Sequence, residues 1–156
     1  MELQPTALIA MSGQSCRSSL VEHLRDARLE VSVVETCWEA HAFLANHPTL
    51  DLVVTQVSLP DGNWSDIVRY VVDYAEKAGI LVTCPTADEQ FWSEILWRGV
   101  YDLLIEPCDA YQVRRAVEGA IRHARQASPQ PAGREQPNSA PLRGGANGRL
   151  FAQAAR

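Results

Sequence analysis

The sequence has no apolar run longer than a handful of residues, so no segment is long enough to cross a bilayer. Its first residues, Met1-Glu2-Leu3-Gln4-Pro5, lack the basic stretch and apolar core of a secretion signal. These two absences predict a cytoplasmic protein with no membrane partner. The four cysteines (Cys16, Cys37, Cys84, Cys108) show no CxxC spacing and no neighbouring histidine cluster. They read as small buried hydrophobes rather than as a zinc site or a disulfide framework. There is no Ser/His/Asp set, metal cluster or phosphate-cradling glycine loop, which argues against an enzyme and against any cofactor. No helix-turn-helix pattern follows residue 127, so any output is expected through partners or from the tail ordering on binding.

The sequence also lacks an excess of basic charge where a fold would form. Its net charge of −5 divides into −8 over residues 1–127 (18 acidic, 10 basic) and +3 over residues 128–156, where four arginines face Glu135. An acidic body argues against nucleic-acid binding by the folded part. The segment 128–156 contains four prolines and four glycines with few large apolar side chains. A disordered basic tail is predicted there, apart from a possible helical turn at Leu150-Phe151-Ala152.

Across residues 1–127, short apolar runs alternate with longer amphipathic ones. Predicted strands are Thr6–Met11, Val31–Glu35, Leu50–Thr55, Ile80–Cys84 and Tyr101–Ile105, short and nearly continuous as strands buried on both faces require. Between them lie helices over about 15–27 (Leu20, Val21 and Leu24 inward), from Thr36 to before Pro48, over 65–78, over 87–98 and from Asp109 to about Arg125. Thr36 and Ser65 are the expected caps. Ile67, Val68, Val71 and Val72 should face inward from the third helix, and Val113, Val117, Ala120 and Ile121 from the last. Gly99 sits where a left-handed helix terminator belongs. Five strand–helix pairs with short links require parallel strands and crossover helices on both faces. The expected fold is α/β: a doubly wound, flavodoxin-like sheet of five parallel strands, order 2-1-3-4-5, with five helices.

Functional groups in such a sheet gather at the carboxyl ends of its central strands, here Met11-Ser12, Gln56, Thr83-Cys84 and Glu106. Two stretches around these ends carry a family likeness. Asp51-Leu52-Val53-Val54-Thr55-Gln56-Val57-Ser58-Leu59-Pro60-Asp61-Gly62 resembles the end of the third strand in response-regulator receiver domains of the CheY-like superfamily. Gly99-Val100-Tyr101-Asp102-Leu103-Leu104-Ile105-Glu106-Pro107-Cys108-Asp109 resembles that family's fifth strand and Lys-Pro turn. The resemblance covers residues 5–125 and implies bacterial two-component, or phosphorelay, signal transduction. It also implies that the site is degenerate. The family's Mg²⁺-binding acidic pair aligns with Met11 and Ser12, its phosphoacceptor aspartate with Gln56, and its Thr/Ser switch with Cys84, Thr83 and Thr86 being close by. Its lysine aligns with Glu106 and its aromatic switch partner with Leu103.

An amide is too weak a nucleophile to accept a phosphoryl group. Met11, Ser12 and Gln56 do not supply the anionic oxygens that Mg²⁺ requires, and Glu106 inverts the sign of the expected cation. Mg²⁺ binding is therefore not expected. Gln56 could hydrogen-bond across the old pocket to Ser12 or Glu106, or simply face water. Glu106 could be a solvated loop carboxylate, meet a partner, or bind a cation with Asp61. Asp61 itself belongs to a Pro-Asp-Gly turn that explains its presence. Trp64 could partly cover the pocket, and Cys84 with Cys108 could form a redox pair beside it.

Phe91 and Ile95 form the expected inward stripe of the fourth helix, so either Trp92 or Trp97 is exposed or half exposed, or both indoles lie over core edges. Exposed tryptophan is enriched at interfaces. The resemblance points to the face built by the fourth helix, fifth strand and last helix, where Trp92, Trp97, Leu103 and Tyr111 are the candidate contacts. The expected partners are a histidine kinase, another regulator, or a second copy of the chain. The expected function is that of a pseudo-receiver acting by phosphorylation-independent protein–protein interaction. A small-ligand or redox sensor using the emptied pocket is the alternative.

Overall fold

The computed structural model describes residues 4–13, 15–86, 89–106 and 108–126. The tail anticipated over 128–156 lies outside those residues. The sheet strands are β1 (Thr6–Ala10), β2 (Glu30–Val34), β3 (Leu52–Gln56), β4 (Gly79–Cys84) and β5 (Asp102–Ile105). The helices are α1 (Ser15–Asp26), α2 (Cys37–Ala45), α3 (Trp64–Tyr74), α4 (Glu89–Trp97) and α5 (Ala110–Gln126). All ladder pairs in the sheet are parallel and the order is β2-β1-β3-β4-β5, as the alternation of strands and helices requires. A short antiparallel pair, Ser58–Leu59 with Gly62–Asn63, stands apart from the sheet and was not anticipated.

The apolar runs become strands because two layers of side chains cover them. Leu8, Ala10, Val53, Val82 and Leu103 join Leu44, Ile67, Val71 and Ile95 in one core layer. Ala7, Ile9, Val54, Leu81 and Leu104 join Leu20, Leu24, Val113 and Val117 in the other. Successive residues of each strand thus alternate between the two layers. Every residue of β4 is buried.

The third helix departs from the sequence reading in three ways. Asn63, not Ser65, caps it, in a reciprocal capping box with Asp66, because Trp64 already belongs to the first turn. It ends at Tyr74 rather than residue 78. Val72 is 61% exposed, since the inward stripe is Trp64, Ile67, Val68 and Val71 and Val72 falls past its edge. Thr36 caps α2 as expected, accepting from the Glu39 N–H. Gly99 ends α4 at φ +104°, the left-handed region that glycine enters without steric cost.

Candidate functional site

The carboxyl ends of β1, β3, β4 and β5 enclose an open cleft of about 570 Å³. Met11, Ser12, Gln56, Thr83, Cys84, Thr86, Phe91 and Glu106 are among its lining residues. The six positions singled out at the strand ends, Met11, Ser12, Gln56, Thr83, Cys84 and Glu106, therefore meet in one place.

Gln56 holds the floor together. Its Oε1 accepts from the Ser12 N–H at 2.8 Å, and its Nε2 donates to the Ser58 carbonyl and, more loosely, to Ser12 Oγ at 3.4 Å. Of the two Gln56 readings, the structure selects the neutral lock, with Ser12 rather than Glu106 as its partner. Both ends of the amide are used, because β1 and β3 are neighbours and their ends lie side by side. Beside this lock, Arg17 of α1 donates to the Met11 carbonyl at 3.1 Å and pairs with Glu35 at 2.9 Å.

Thr83 is opposite Gln56 in the β3–β4 register and is 2% exposed. Its hydroxyl is buried without a hydrogen-bond partner among the described residues. Cys84 follows at the strand end and its thiol donates to the Thr86 carbonyl at 3.1 Å. Burial pushes this thiol's pKa up, and the Glu106 carboxylate adds to the shift, so the thiolate is disfavoured. Cys108 packs against the opposite core layer from Cys84.

Two further expectations are corrected. Asp61 does not line the cleft, so it makes no cation site with Glu106. Its carboxylate instead reaches α2, accepting from the backbone N–H groups of Cys37 (2.7 Å) and Trp38 (3.0 Å). It thereby satisfies donors that a helix N-terminus leaves unpaired. These bonds hold the Asp61 pKa below its ordinary value of 3.8, the contact to the Cys37 N–H being the main cause. Gly62 completes the contact: a Cβ there would lie 2.7 Å from Cys37 Sγ. Burial, reinforced by Asp61 and Asp66, raises the Cys37 thiol to about 11. Trp64 does not cover the cleft either. It is buried, edge-on to Phe91 with 6.3 Å between ring centroids.

A pH-dependent prediction follows from Asp61. A carboxylate with a depressed folded pKa stabilises the fold above about pH 3.8. That contribution is lost as pH falls through the lower folded value. Asp61→Ala is therefore expected to lower Tm near pH 7, with the gap to wild type narrowing in strong acid. Thermal melts from pH 2.5 to 7 check this, and a pH-independent gap would contradict it.

On the α4–β5–α5 face, Trp92 (38%), Trp97 (62%) and Tyr111 (69%) are exposed. Leu103 is 4% exposed and packs in the core layer that holds Ile95 of α4, whereas Ile105, on the same strand face but at the strand's end, is 38% exposed. Leu96, Tyr101 and Ile105 are further exposed apolar residues there that the sequence reading missed. Among the described residues no three His, Cys, Asp or Glu side chains are placed to hold a metal ion. No described helix is long and apolar enough to cross a membrane.

No protein-family model matches the chain. Over 116 residues, 74% of the chain, it is 28% identical to the response regulator protein PilR of Pseudomonas aeruginosa. It spans only 26% of that relative's length. The signal receiver domain of an HD domain-containing protein from Pseudomonas fluorescens Pf-5 superposes with TM-score 0.71 at 17% identity. That match covers 80% of this chain and 92% of the other. The chemotaxis response regulator CheY4 of Vibrio cholerae gives 0.67 at 19% identity, over 76% and 99% of the two chains. The beryllofluoride-activated NtrC4 receiver domain, solved as a dimer, gives 0.70 at 17% identity, over 76% and 98%. The chain thus has the CheY-like, flavodoxin-type fold of receiver domains.

Proposed function

We propose that this chain is a response-regulator receiver module of two-component signalling that has given up phosphorylation and acts through protein–protein contact. The observation that carries the reading is Gln56. At the position of the phosphoacceptor it presents an amide, both ends of which are engaged in tying β3 to the β1 end and to the following loop. The side chains around it, Met11, Ser12 and Glu106, supply neither a Mg²⁺ site nor a cation for phosphoryl oxygens.

The contact surface in this reading is the α4–β5–α5 face. Trp92, Leu96, Trp97, Tyr101, Ile105 and Tyr111 expose apolar and aromatic area there, on one helix–strand–helix unit with its short links. A histidine kinase, another regulator or a second copy would bury it. The relatives fit a signalling role: one is a response regulator and another a receiver that dimerises.

Two measurements test the proposal. Acetyl phosphate, or beryllofluoride with Mg²⁺, is expected to leave the amide spectrum of the chain unchanged; saturable shifts at Gln56 would refute it. Trp97→Ala is expected to weaken self-association, or capture of a partner regulator, by roughly 10- to 30-fold, about 1.4–2 kcal/mol. Sedimentation and pull-down measure this, and equal association of the variant would remove the face from the proposal.

A further inference from the structure

The cleft at the strand ends has a chemistry of its own. Glu106 is the charged residue among its described lining residues, and no described lysine, arginine or histidine lines it. Arg17, which touches the Met11 carbonyl, is taken up by Glu35 and is not part of the lining. The Glu106 side chain makes no hydrogen bond or ion pair with any described residue. Ser12, Ser58, Thr83 and Thr86, all hydroxyl-bearing, are among the residues that line the same cleft. Thr83 is the second, independent sign: its residue is 2% exposed and its Oγ1 has no partner among the described residues. Folds rarely leave a buried hydroxyl in that state.

The lining decides between ligand classes. An anion would meet a carboxylate with no cation to offset it. A divalent metal would find too few anionic oxygens. A purely apolar molecule would leave Thr83 unsatisfied. An ammonium group gives its N–H donors to a carboxylate and to hydroxyl oxygens, while a short alkyl chain lies against Met11, Val57, Pro85 and Phe91. A cleft of about 570 Å³ holds such a molecule. We propose that it is a binding site for an alkylammonium group, with Glu106 as counter-ion and the Thr83 hydroxyl as the deep acceptor. Thr83 Oγ1 is closed to solvent in the unliganded fold, so binding includes displacement of the side chains that cover it. The inference rests on the reading that this cleft no longer takes a phosphoryl group. The ammonium could belong to a free amine or to a lysine side chain of a partner protein.

The test is an NMR titration of the intact chain with butylammonium chloride, with butanol, butyrate and sodium chloride at matched ionic strength as counter-probes. Saturable shifts at the Ser12, Gly13, Thr83 and Glu106 amides with butylammonium alone are expected. Glu106→Gln is expected to weaken binding at least tenfold. Thr83→Val is expected to weaken it several-fold without lowering Tm, because it deletes a hydroxyl that holds nothing in the fold. Unsaturable shifts, equal shifts with butanol, or unchanged binding by both variants would overturn the site. Saturation by butylammonium at or below about 1 mM assigns it to free amines. Weaker saturation, with a lysine peptide binding at least tenfold more tightly than its acetyl-lysine form, assigns it to a partner's lysine. A response to beryllofluoride and Mg²⁺ would sink the phosphorylation-independent reading, whereas a failed amine titration leaves that reading untouched.

Discussion

Replacing Trp64 with alanine is expected to cost the domain about 3–5 kcal/mol of stability, the largest loss from any single tryptophan. The indole opens α3, is only 6% exposed, and stands edge-on to Phe91 of α4 at an interplanar angle of 86°. The Arg98 guanidinium lies over its ring at 5.4 Å and donates to Ser65 Oγ at 3.1 Å, so one side chain joins α3 to the end of α4. Alanine would empty a volume bounded by strands and two helices that do not collapse into it. Trp38, 75% exposed on α2, is the internal comparison: its truncation should change stability by under about 0.5 kcal/mol. Urea unfolding of both variants decides the matter, and a Trp64→Ala loss no larger than that of Trp38→Ala would refute the packing argument.

The second large effect concerns chemistry. Gln56→Asp alone is expected to show no Mg²⁺-dependent beryllofluoride binding, whereas Met11→Asp, Ser12→Asp, Gln56→Asp and Glu106→Lys combined should acquire it. A carboxylate at 56 supplies the nucleophile but no hard anionic partners for Mg²⁺, and Glu106 still repels the phosphoryl oxygens. Each missing electrostatic donor is typically worth about 10²–10³ in rate. The single variant also loses the Nε2 donor to the Ser58 carbonyl and draws the acceptor of the Ser12 N–H back by one methylene, so it starts from a looser floor. Fluorine NMR of bound beryllofluoride measures the outcome. Binding by the single variant would mean that the remaining cleft is still competent and that the degeneracy lies at one residue.

The strands were legible because β1, β3 and β4 are covered on both sides and so appear as apolar runs, and their order followed from the crossover helices between them. The strand-end site was legible because its residues sit at fixed points after those runs, between turn motifs that resemble a known family. What stayed hidden depends on geometry that sequence spacing does not carry. Leu103 was placed on the contact face because it aligns with the family's aromatic switch partner, whereas α4 and α5 bury both faces of this edge strand at Leu103 and Leu104. Val72 lies within the apolar periodicity of α3 and yet past the edge of what the sheet covers. The Asp61 contact joins residues 23 and 24 positions apart, and its own turn already accounted for the aspartate. The Thr83 orphan hydroxyl exists only once β4 is enclosed.

That Asp61 contact makes the loop after β3 and the first turn of α2 a single opening unit. Neither can swing outward without releasing two helix-terminal N–H groups to solvent, so their exchange and fluctuation become correlated although different strands carry them. Cys37 sits inside the joint, its thiol raised to about 11 and close-packed beneath Gly62. An alkylating reagent would therefore meet Cys37 chiefly in the opened form, and its labelling rate becomes a clock for how often the rim of the cleft comes undone.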